Sequence, residues 1–117
     1  MKVYLYTGCG TCRKAVKFLT ARGIAHATVP IREQPPTKAE LKRMLTHYGG
    51  VVRKLFNTSG QDYKRLNLKE RLPQLTKDAA IDLLASNGNL VKRPFVLNKK
   101  DGVVGFKEEE WAKLIDR

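Results

Sequence analysis

The chain has 117 residues, and its 23 Lys and Arg against 11 Asp and Glu give a net charge of +12. A chain of this length can bury one hydrophobic core, so we expect residues 1–117 to form a single domain. No stretch approaches the roughly 20 apolar residues of a membrane span, and the N-terminus lacks the apolar core of a signal peptide. These features predict a cytoplasmic protein with no membrane partner.

The excess of positive charge is large for so small a chain and predicts attraction to anions, such as acidic proteins, oxyanions or anionic thiols. The basic residues are spread along the sequence, without a run of five and without a nucleic-acid-binding motif. We therefore expect a well-solvated basic surface and no direct binding of nucleic acid.

The first third of the chain predicts a strand, a helix and a second strand. Lys2–Tyr6 alternates with bulky residues on both faces, which is typical of a strand inside a sheet. Apolar residues recur at helical spacing after Thr11, and Gly23 is placed to end that helix. Residues 24–31 then predict the second strand.

The middle of the chain is predicted to be helical. Thr37 has the character of an N-cap, and Glu40 three residues later completes a capping box for a helix that reaches about Tyr48. The glycines at 49 and 50 break this helix. Further helical segments are predicted over 51–56, over 62–66 and from Thr76 to Asn87.

The end of the chain predicts a hairpin and a last helix. Residues 95–97 and 103–106 are short apolar runs joined by a loop that contains glycine. A helix then begins at about Lys107, and Phe106 and Trp111 are expected to lie in the core. The order is βαβ, helices, ββα, which predicts an α/β fold with a mixed sheet of about four strands, similar to the thioredoxin order.

Cys9 and Cys12 lie between the first strand and the first helix, as Cys-Gly-Thr-Cys. The spacing alone leaves three interpretations open, namely a redox pair, half of a metal site, and one working thiol with a helper. A helix N-terminus favours thiolate over thiol, and Arg13 would add to this effect if its side chain pointed toward the loop. We expect Cys9 to be the more exposed and more acidic thiol and Cys12 to resolve it.

A metal site is the weakest of these interpretations. Structural zinc needs about four ligands, and the only histidines, His26 and His47, have no paired spacing with each other or with the cysteines. We therefore expect no metal, and both histidines are predicted to be surface or packing residues.

Three motifs carry a resemblance to a known family. They are YTGCGTCRK at 6–14, NLVKRP at 89–94 and VGF at 104–106. Together they resemble the arsenate reductase and Spx family (ArsC-like) of thioredoxin-fold proteins, from the first strand to about Ile115. The combination of the three is more specific than the Cys-x-x-Cys, which many proteins carry.

The resemblance implies that Cys9 is the catalytic cysteine and that Arg93 is its cationic partner. It also implies a cis bond before Pro94, which turns the backbone and the Arg93 guanidinium toward Cys9. The loop at Gly10 and Thr11 is expected to supply backbone N–H groups to an anion, with Arg13, Asn57 and Pro94 also at that site. For Asn57 a helix cap is an equally good interpretation.

The chain departs from the arsenate reductases that it resembles. Those enzymes carry two further arginines for the oxyanion, at the positions where this chain has Asn57 and Phe106. Each lost charge-assisted hydrogen bond is worth roughly 1.5–3 kcal/mol, so arsenate binding should be weakened.

The departures favour a thiol-dependent oxidoreductase that binds no cofactor and uses glutathione or a similar thiol as reductant. Its substrate would be a small thiol or an oxidised protein. The resemblance leaves two alternatives. One is a redox-sensitive regulator of the Spx type, which would bind the RNA polymerase α subunit, and the other is a true arsenate reductase.

Overall fold

A computed structural model describes residues 1–115, and its strands form one mixed sheet in the order β2-β1-β3-β4. The strands are β1 (Lys2–Leu5), β2 (Ala27–Pro30), β3 (Phe95–Leu97) and β4 (Gly102–Val104). The first two run parallel, and β3 is antiparallel to both β1 and β4. The predicted α/β fold with a four-stranded mixed sheet is confirmed.

Helices cover both faces of the sheet. They are α1 (Gly10–Ala21), α2 (Lys38–His47), α3 (Gln61–Arg65), α4 (Leu68–Arg71), α5 (Lys77–Ser86) and α6 (Glu108–Ile115), with short 3-10 helices at Val52–Leu55, Leu72–Gln74 and Gly88–Leu90. The predicted capping box of α2 is present, since Thr37 accepts from the Glu40 N–H and Glu40 accepts from the Thr37 N–H. The helical middle and its first cap are thus confirmed.

Three strands differ from the prediction, and the first of them, β1, ends at Leu5 rather than at Tyr6. The second strand begins at Ala27 rather than at residue 24, because the Ile24 N–H still bonds to Leu19 O at the end of α1. The last strand ends at Val104 rather than at 106, because Gly105 has a φ of +74° and turns the chain away. Such a φ favours glycine, so the turn is local to that residue.

The core lies on both faces of the sheet, which explains the alternation in β1. Val3 packs with Phe18 of α1 and Trp111 of α6 on one face. Tyr4 packs on the other face with Phe95 and with residues of α2 and α5. The helical middle therefore covers one face, and α1 with α6 covers the other.

The sheet order places two loops side by side. Tyr4 of β1 pairs with Phe95 of β3 in an antiparallel ladder, so the chain that leaves β1 lies beside the chain that enters β3. The first of these loops carries Cys9, and the second carries Arg93 and the cis bond to Pro94. Among residues 1–115, no helix has both the length and the apolar character required to cross a membrane.

Candidate active site

Cys9 lies at the N-cap of α1 and is half-buried. Its Sγ accepts a hydrogen bond from the Cys12 backbone N–H at 3.4 Å, a long contact that sulfur allows. Its own N–H donates to Tyr6 O at 3.0 Å, which fixes the turn between β1 and the helix. The thiol is therefore held where unpaired N–H groups and the positive end of α1 favour a negative charge.

Several groups act on the ionisation of Cys9. Burial raises the pKa of its thiol, but hydrogen bonds from the side chain and backbone of Cys12, together with the charge of Arg93, outweigh that effect. The net result is a pKa below the ordinary value for cysteine. The thiolate is the reactive form of cysteine, so this residue is suited to act as a nucleophile.

Cys12 has the opposite character. It lies in the first turn of α1 and is only 1% exposed. Burial, with a further contribution from Cys9, raises its pKa to about 12. Cys12 is thus a neutral thiol that donates to the sulfur of Cys9, and it becomes a nucleophile only when its proton is removed.

Arg93 is the cation that acts on Cys9 from the neighbouring loop. Its guanidinium carbon lies 5.2 Å from the centre of the Tyr6 ring, and it contributes both charge and a hydrogen bond to the Cys9 thiolate. The following peptide bond is cis, as the resemblance implied, and Pro94 is buried. Pro94 O accepts from the Gly105 N–H at 2.9 Å. The loop of Arg93 is in this way joined to the last hairpin.

A cavity of about 340 Å³ opens in front of Cys9. Three basic residues line it, namely Lys92, Arg93 and Lys107. The rest of the wall includes Thr11, Asn57 and Phe106. The two positions at which the resemblance implied lost arginines therefore face this cavity, one as an amide and the other as an aromatic ring.

The predicted site residues are placed as follows. Thr11 and Asn57 line the cavity, and Asn57 makes no cap because α3 begins after Gly60 without a side-chain cap. Gly10 is the first residue of α1. Arg13 is exposed on α1 and does not line this cavity, and the positive charge that lowers the pKa of Cys9 is that of Arg93. Phe106, expected in the core, is half-buried at the cavity wall.

Tyr6 is the residue that the sequence analysis missed. The sequence predicts it only as part of a strand, but the guanidinium carbons of Arg32 and Arg93 lie 3.7 and 5.2 Å from the centre of its ring. A Cβ at Gly8 would lie 2.6 Å from the ring, so glycine is required there for Tyr6 to pack across the loop. The only signal in the sequence is a tyrosine three residues before the first cysteine. It indicates a role at the site only once Arg32 and Arg93 are known to lie over its ring.

The two histidines lie away from the cysteines. His26 Nδ1 is 2.9 Å from Ile24 O, and His47 is exposed at the end of α2. Within the described part of the chain, no three side chains of His, Cys, Asp or Glu are grouped so as to hold a metal ion.

Comparison with known proteins places these features in a family. A family model described as ArsC family matches residues 4–114. The chain is 46% identical over 110 residues to the uncharacterized protein YusI of Bacillus subtilis (strain 168), covering 94% of this chain and 93% of YusI. It is also 30% identical over 111 residues to the regulatory protein MgsR of the same organism, covering 95% of this chain and 86% of MgsR.

A solved structure agrees with the fold. The crystal structure of an ArsC family related protein from Bacteroides fragilis superimposes with a TM-score of 0.91 and 45% sequence identity, covering 97% of this chain and 95% of that one.

Proposed function

Because the chain belongs to the ArsC family, we propose that it is a thiol-dependent oxidoreductase whose nucleophile is the thiolate of Cys9. The observation that carries the proposal is the difference in pKa between two neighbouring thiols. The pKa of Cys9 lies below its ordinary value, whereas burial raises the pKa of Cys12 to about 12. One thiol is prepared to attack, and the other is kept protonated beside it.

The proposed cycle is a disulfide exchange. The thiolate of Cys9 attacks one sulfur of a substrate disulfide, forms a mixed disulfide with it, and releases the other half as a thiolate that takes up a proton. Cys12 then loses its proton and attacks the Cys9 sulfur, which closes the Cys9–Cys12 disulfide and releases the second substrate thiol. Two molecules of glutathione, or of a similar thiol, reduce this disulfide and leave as an oxidised pair.

Arg93 supports the charged stages of this cycle. A guanidinium near the Cys9 sulfur stabilises the thiolate before attack and again when Cys9 is the leaving group. Lys92 and Lys107 on the same cavity wall favour negatively charged substrates. Asn57 and Phe106 do not contribute charge, which supports a disulfide rather than arsenate as the substrate.

The test is turnover of the neutral 2-hydroxyethyl disulfide with glutathione as reductant, followed through a coupled glutathione reductase. We expect Cys9→Ser to abolish turnover. Cys12→Ser should keep part of the activity, because glutathione can resolve the mixed disulfide directly. A wild-type rate no higher than that of Cys9→Ser would refute the proposal. Arsenate in place of the disulfide tests the arsenate reductase alternative, for which we expect no turnover dependent on Cys9.

A redox-sensitive regulator is the second candidate, and the 30% identity to the regulatory protein MgsR over most of its length favours it. In this case the Cys9–Cys12 pair would act as a switch, and the partner implied by the family resemblance is the RNA polymerase α subunit. The purified chain, reduced and oxidised, would be tested for capture of that purified subunit. Capture that depends on the redox state and is lost in the Cys9→Ser, Cys12→Ser double variant would support the regulator, and no capture in either state would remove it.

A further inference from the structure

A basic groove lies beside the cavity of Cys9. Its volume is about 220 Å³, and we name it the Arg53 groove. Lys92 lines both this groove and the cavity of Cys9, so the two spaces meet at that residue. The other residues of its wall are Val51, Arg53, Lys54, Phe56 and Thr58. A chain segment that lies in the groove would continue past Lys92 toward Cys9.

The backbone joins the two sides of the Arg53 groove. The Asn57 N–H donates to Leu90 O at 2.7 Å, and the Lys92 N–H donates to Leu55 O at 2.8 Å. The side chain of Lys92 then crosses Gly105, where a Cβ would lie 3.0 Å from the Lys92 Cε. The groove is therefore formed before any partner binds, which lowers the cost of ordering it. Lys92 is held at its boundary with the cavity of Cys9.

The wall of the Arg53 groove carries positive charge and no negative charge. Arg53, Lys54 and Lys92 supply the cations, and none of the three forms an ion pair within residues 1–115. Val51 lies beside them with 46% of its surface exposed, and it is the one large apolar side chain exposed in the described part of the chain. A partner that matches this surface carries negative charge and an apolar group.

The apolar part of the surface favours a protein over a nucleic acid. Proteins bind single-stranded nucleic acid by stacking bases on exposed aromatic rings, but the one aromatic ring in this wall, Phe56, is only 1% exposed. A peptide segment with acidic and apolar side chains matches both the cations and Val51. Because the groove leads to Cys9, the segment would also carry a sulfur.

We propose that the Arg53 groove docks an acidic segment of an oxidised protein, beside the disulfide that Cys9 attacks. This inference rests on the proposed function and names its substrate class, namely protein disulfides with acidic and apolar residues next to the cysteine. In the covalent step the Cys9 thiolate forms a bond to one sulfur of the substrate disulfide. The S–S bond of the substrate breaks, and the released cysteine thiolate takes up a proton from water.

The experiment uses full-length protein with Cys12→Ser, so that the reaction stops at the mixed disulfide on Cys9. The acidic probe is a symmetric disulfide of two copies of a short peptide, in which Leu and Asp flank one cysteine on both sides. The neutral probe has Asn in place of Asp, and intact mass spectrometry follows the second-order rate of each. We expect the Arg53→Gln, Lys54→Gln double variant to slow the acidic probe about fivefold and the neutral probe by less than about twofold.

The Lys99→Gln, Lys100→Gln double variant is the matched control. These residues are also an adjacent, exposed basic pair, but they lie in the turn between β3 and β4, after the end of β3 that is away from Arg93. Their replacement changes the net charge equally and should slow the acidic probe much less. Equal slowing by the two double variants would show a general charge effect and overturn the proposal.

Val51→Ser tests the choice of a protein segment. Both probes carry Leu, so loss of the exposed valine should slow both of them, by roughly twofold or more. Unchanged rates would mean that the groove binds polyanions through charge alone, as nucleic acid would require, and would overturn the assignment to a protein substrate.

The remaining outcomes separate this inference from the proposed function. If Cys9 reacts with neither probe faster than free cysteine does, the oxidoreductase proposal fails. If Cys9 reacts readily with both probes, but the Arg53→Gln, Lys54→Gln variant changes neither rate or slows both equally, the docking role of the groove fails while the oxidoreductase stands.

Discussion

Cys9 and Cys12 are chemically identical side chains separated by one turn of chain, yet their surroundings shift their pKa values in opposite directions. Cys9 is half-buried at the helix N-cap and accepts hydrogen bonds from Cys12, whereas Cys12 is 1% exposed against the core. The Cys12 thiol donates a hydrogen bond to the Cys9 sulfur. This one contact favours the thiolate of Cys9 and the protonated thiol of Cys12. Arg93 adds a positive charge from the neighbouring loop.

Arg93→Gln should therefore raise the pKa of Cys9 and lower the fraction of thiolate at neutral pH. We expect the rate of alkylation of Cys9 by iodoacetamide at pH 7 to fall by roughly threefold or more. In the wild type the midpoint of the rate against pH should lie below the value of about 8.5 of a free cysteine, because the pKa is lowered. The measurement is the alkylation rate as a function of pH, with peptide mapping to assign the cysteine.

Arg13→Gln provides the matched control for this prediction. It removes the same charge from a residue only four positions from Cys9, but Arg13 is exposed on α1, whereas Arg93 supplies the charge that lowers the pKa of Cys9. Its pH profile should coincide with that of the wild type. A shift in Arg13→Gln as large as that in Arg93→Gln would contradict the role assigned to Arg93.

At the scale of secondary structure, one carboxylate joins the strand β1 to the helix α2. Glu40 accepts from Tyr4 Oη at 2.6 Å and Lys2 Nζ at 3.0 Å, and from the Thr37 N–H at 3.0 Å. A capping box ordinarily stabilises only its own helix. Here the same residue also ties that helix to β1, the strand that leads into the loop of Cys9.

Glu40→Ala should consequently cost more than loss of a cap. We expect the free energy of unfolding to fall by about 2–3 kcal/mol, since hydrogen bonds to a charged group are lost along with the capping box. Thr76→Ala removes the cap of α5, which bonds only to the Ala79 N–H, and should cost about 1 kcal/mol. Urea unfolding of both variants measures the difference, and equal losses would show that the contacts of Glu40 with β1 add nothing.

The last hairpin shows how an element can build the wall of a site. Gly105 turns the chain at a φ of +74°, its carbonyl accepts from Trp111 Nε1 at 2.9 Å, and its N–H donates to Pro94 O. Phe106 then packs edge-to-face on Phe18 and Trp111. These contacts fix Phe106 at the cavity of Cys9, which the alternation of the strand alone did not predict.

For the whole molecule, the net charge of +12 is the dominant long-range property. A field of this sign attracts anions toward the surface, and salt screens it over a Debye length of about 10 Å at 0.1 M. The cavity of Cys9 is lined by basic residues, so the field and the site favour the same class of ligand.

Salt should therefore slow reaction with an anionic disulfide much more than reaction with a neutral one. Between about 0.02 and 0.5 M sodium chloride, we expect the rate of Cys9 with oxidised glutathione to fall roughly tenfold. The rate with 2-hydroxyethyl disulfide should change little. Stopped-flow measurement of both reactions tests this, and parallel salt dependence would indicate that the positive field does not act on the substrate.

The sequence by itself determined the elements and their chemistry. Alternation in β1, the capping box of α2 and the glycine at the end of α1 are local signals, because each arises from the backbone and its nearest neighbours. The position of Cys9 and Cys12 at a helix N-terminus was predictable for the same reason. Arg93-Pro94 was identified through the family resemblance, since no local signal connects it with a loop more than eighty residues earlier.

Only the tertiary structure decided which side chains share a space. The pairing of β1 with β3 brings Arg93 to Cys9. Arg13, which is much nearer to Cys9 in the sequence, lies on the exposed side of α1. The tertiary structure also makes Tyr6 the support for Arg32 and Arg93, and it places Lys92 between the cavity of Cys9 and the Arg53 groove. The physical reason is that charge and burial act through distance in space, and sequence spacing fixes that distance only within one helix or strand.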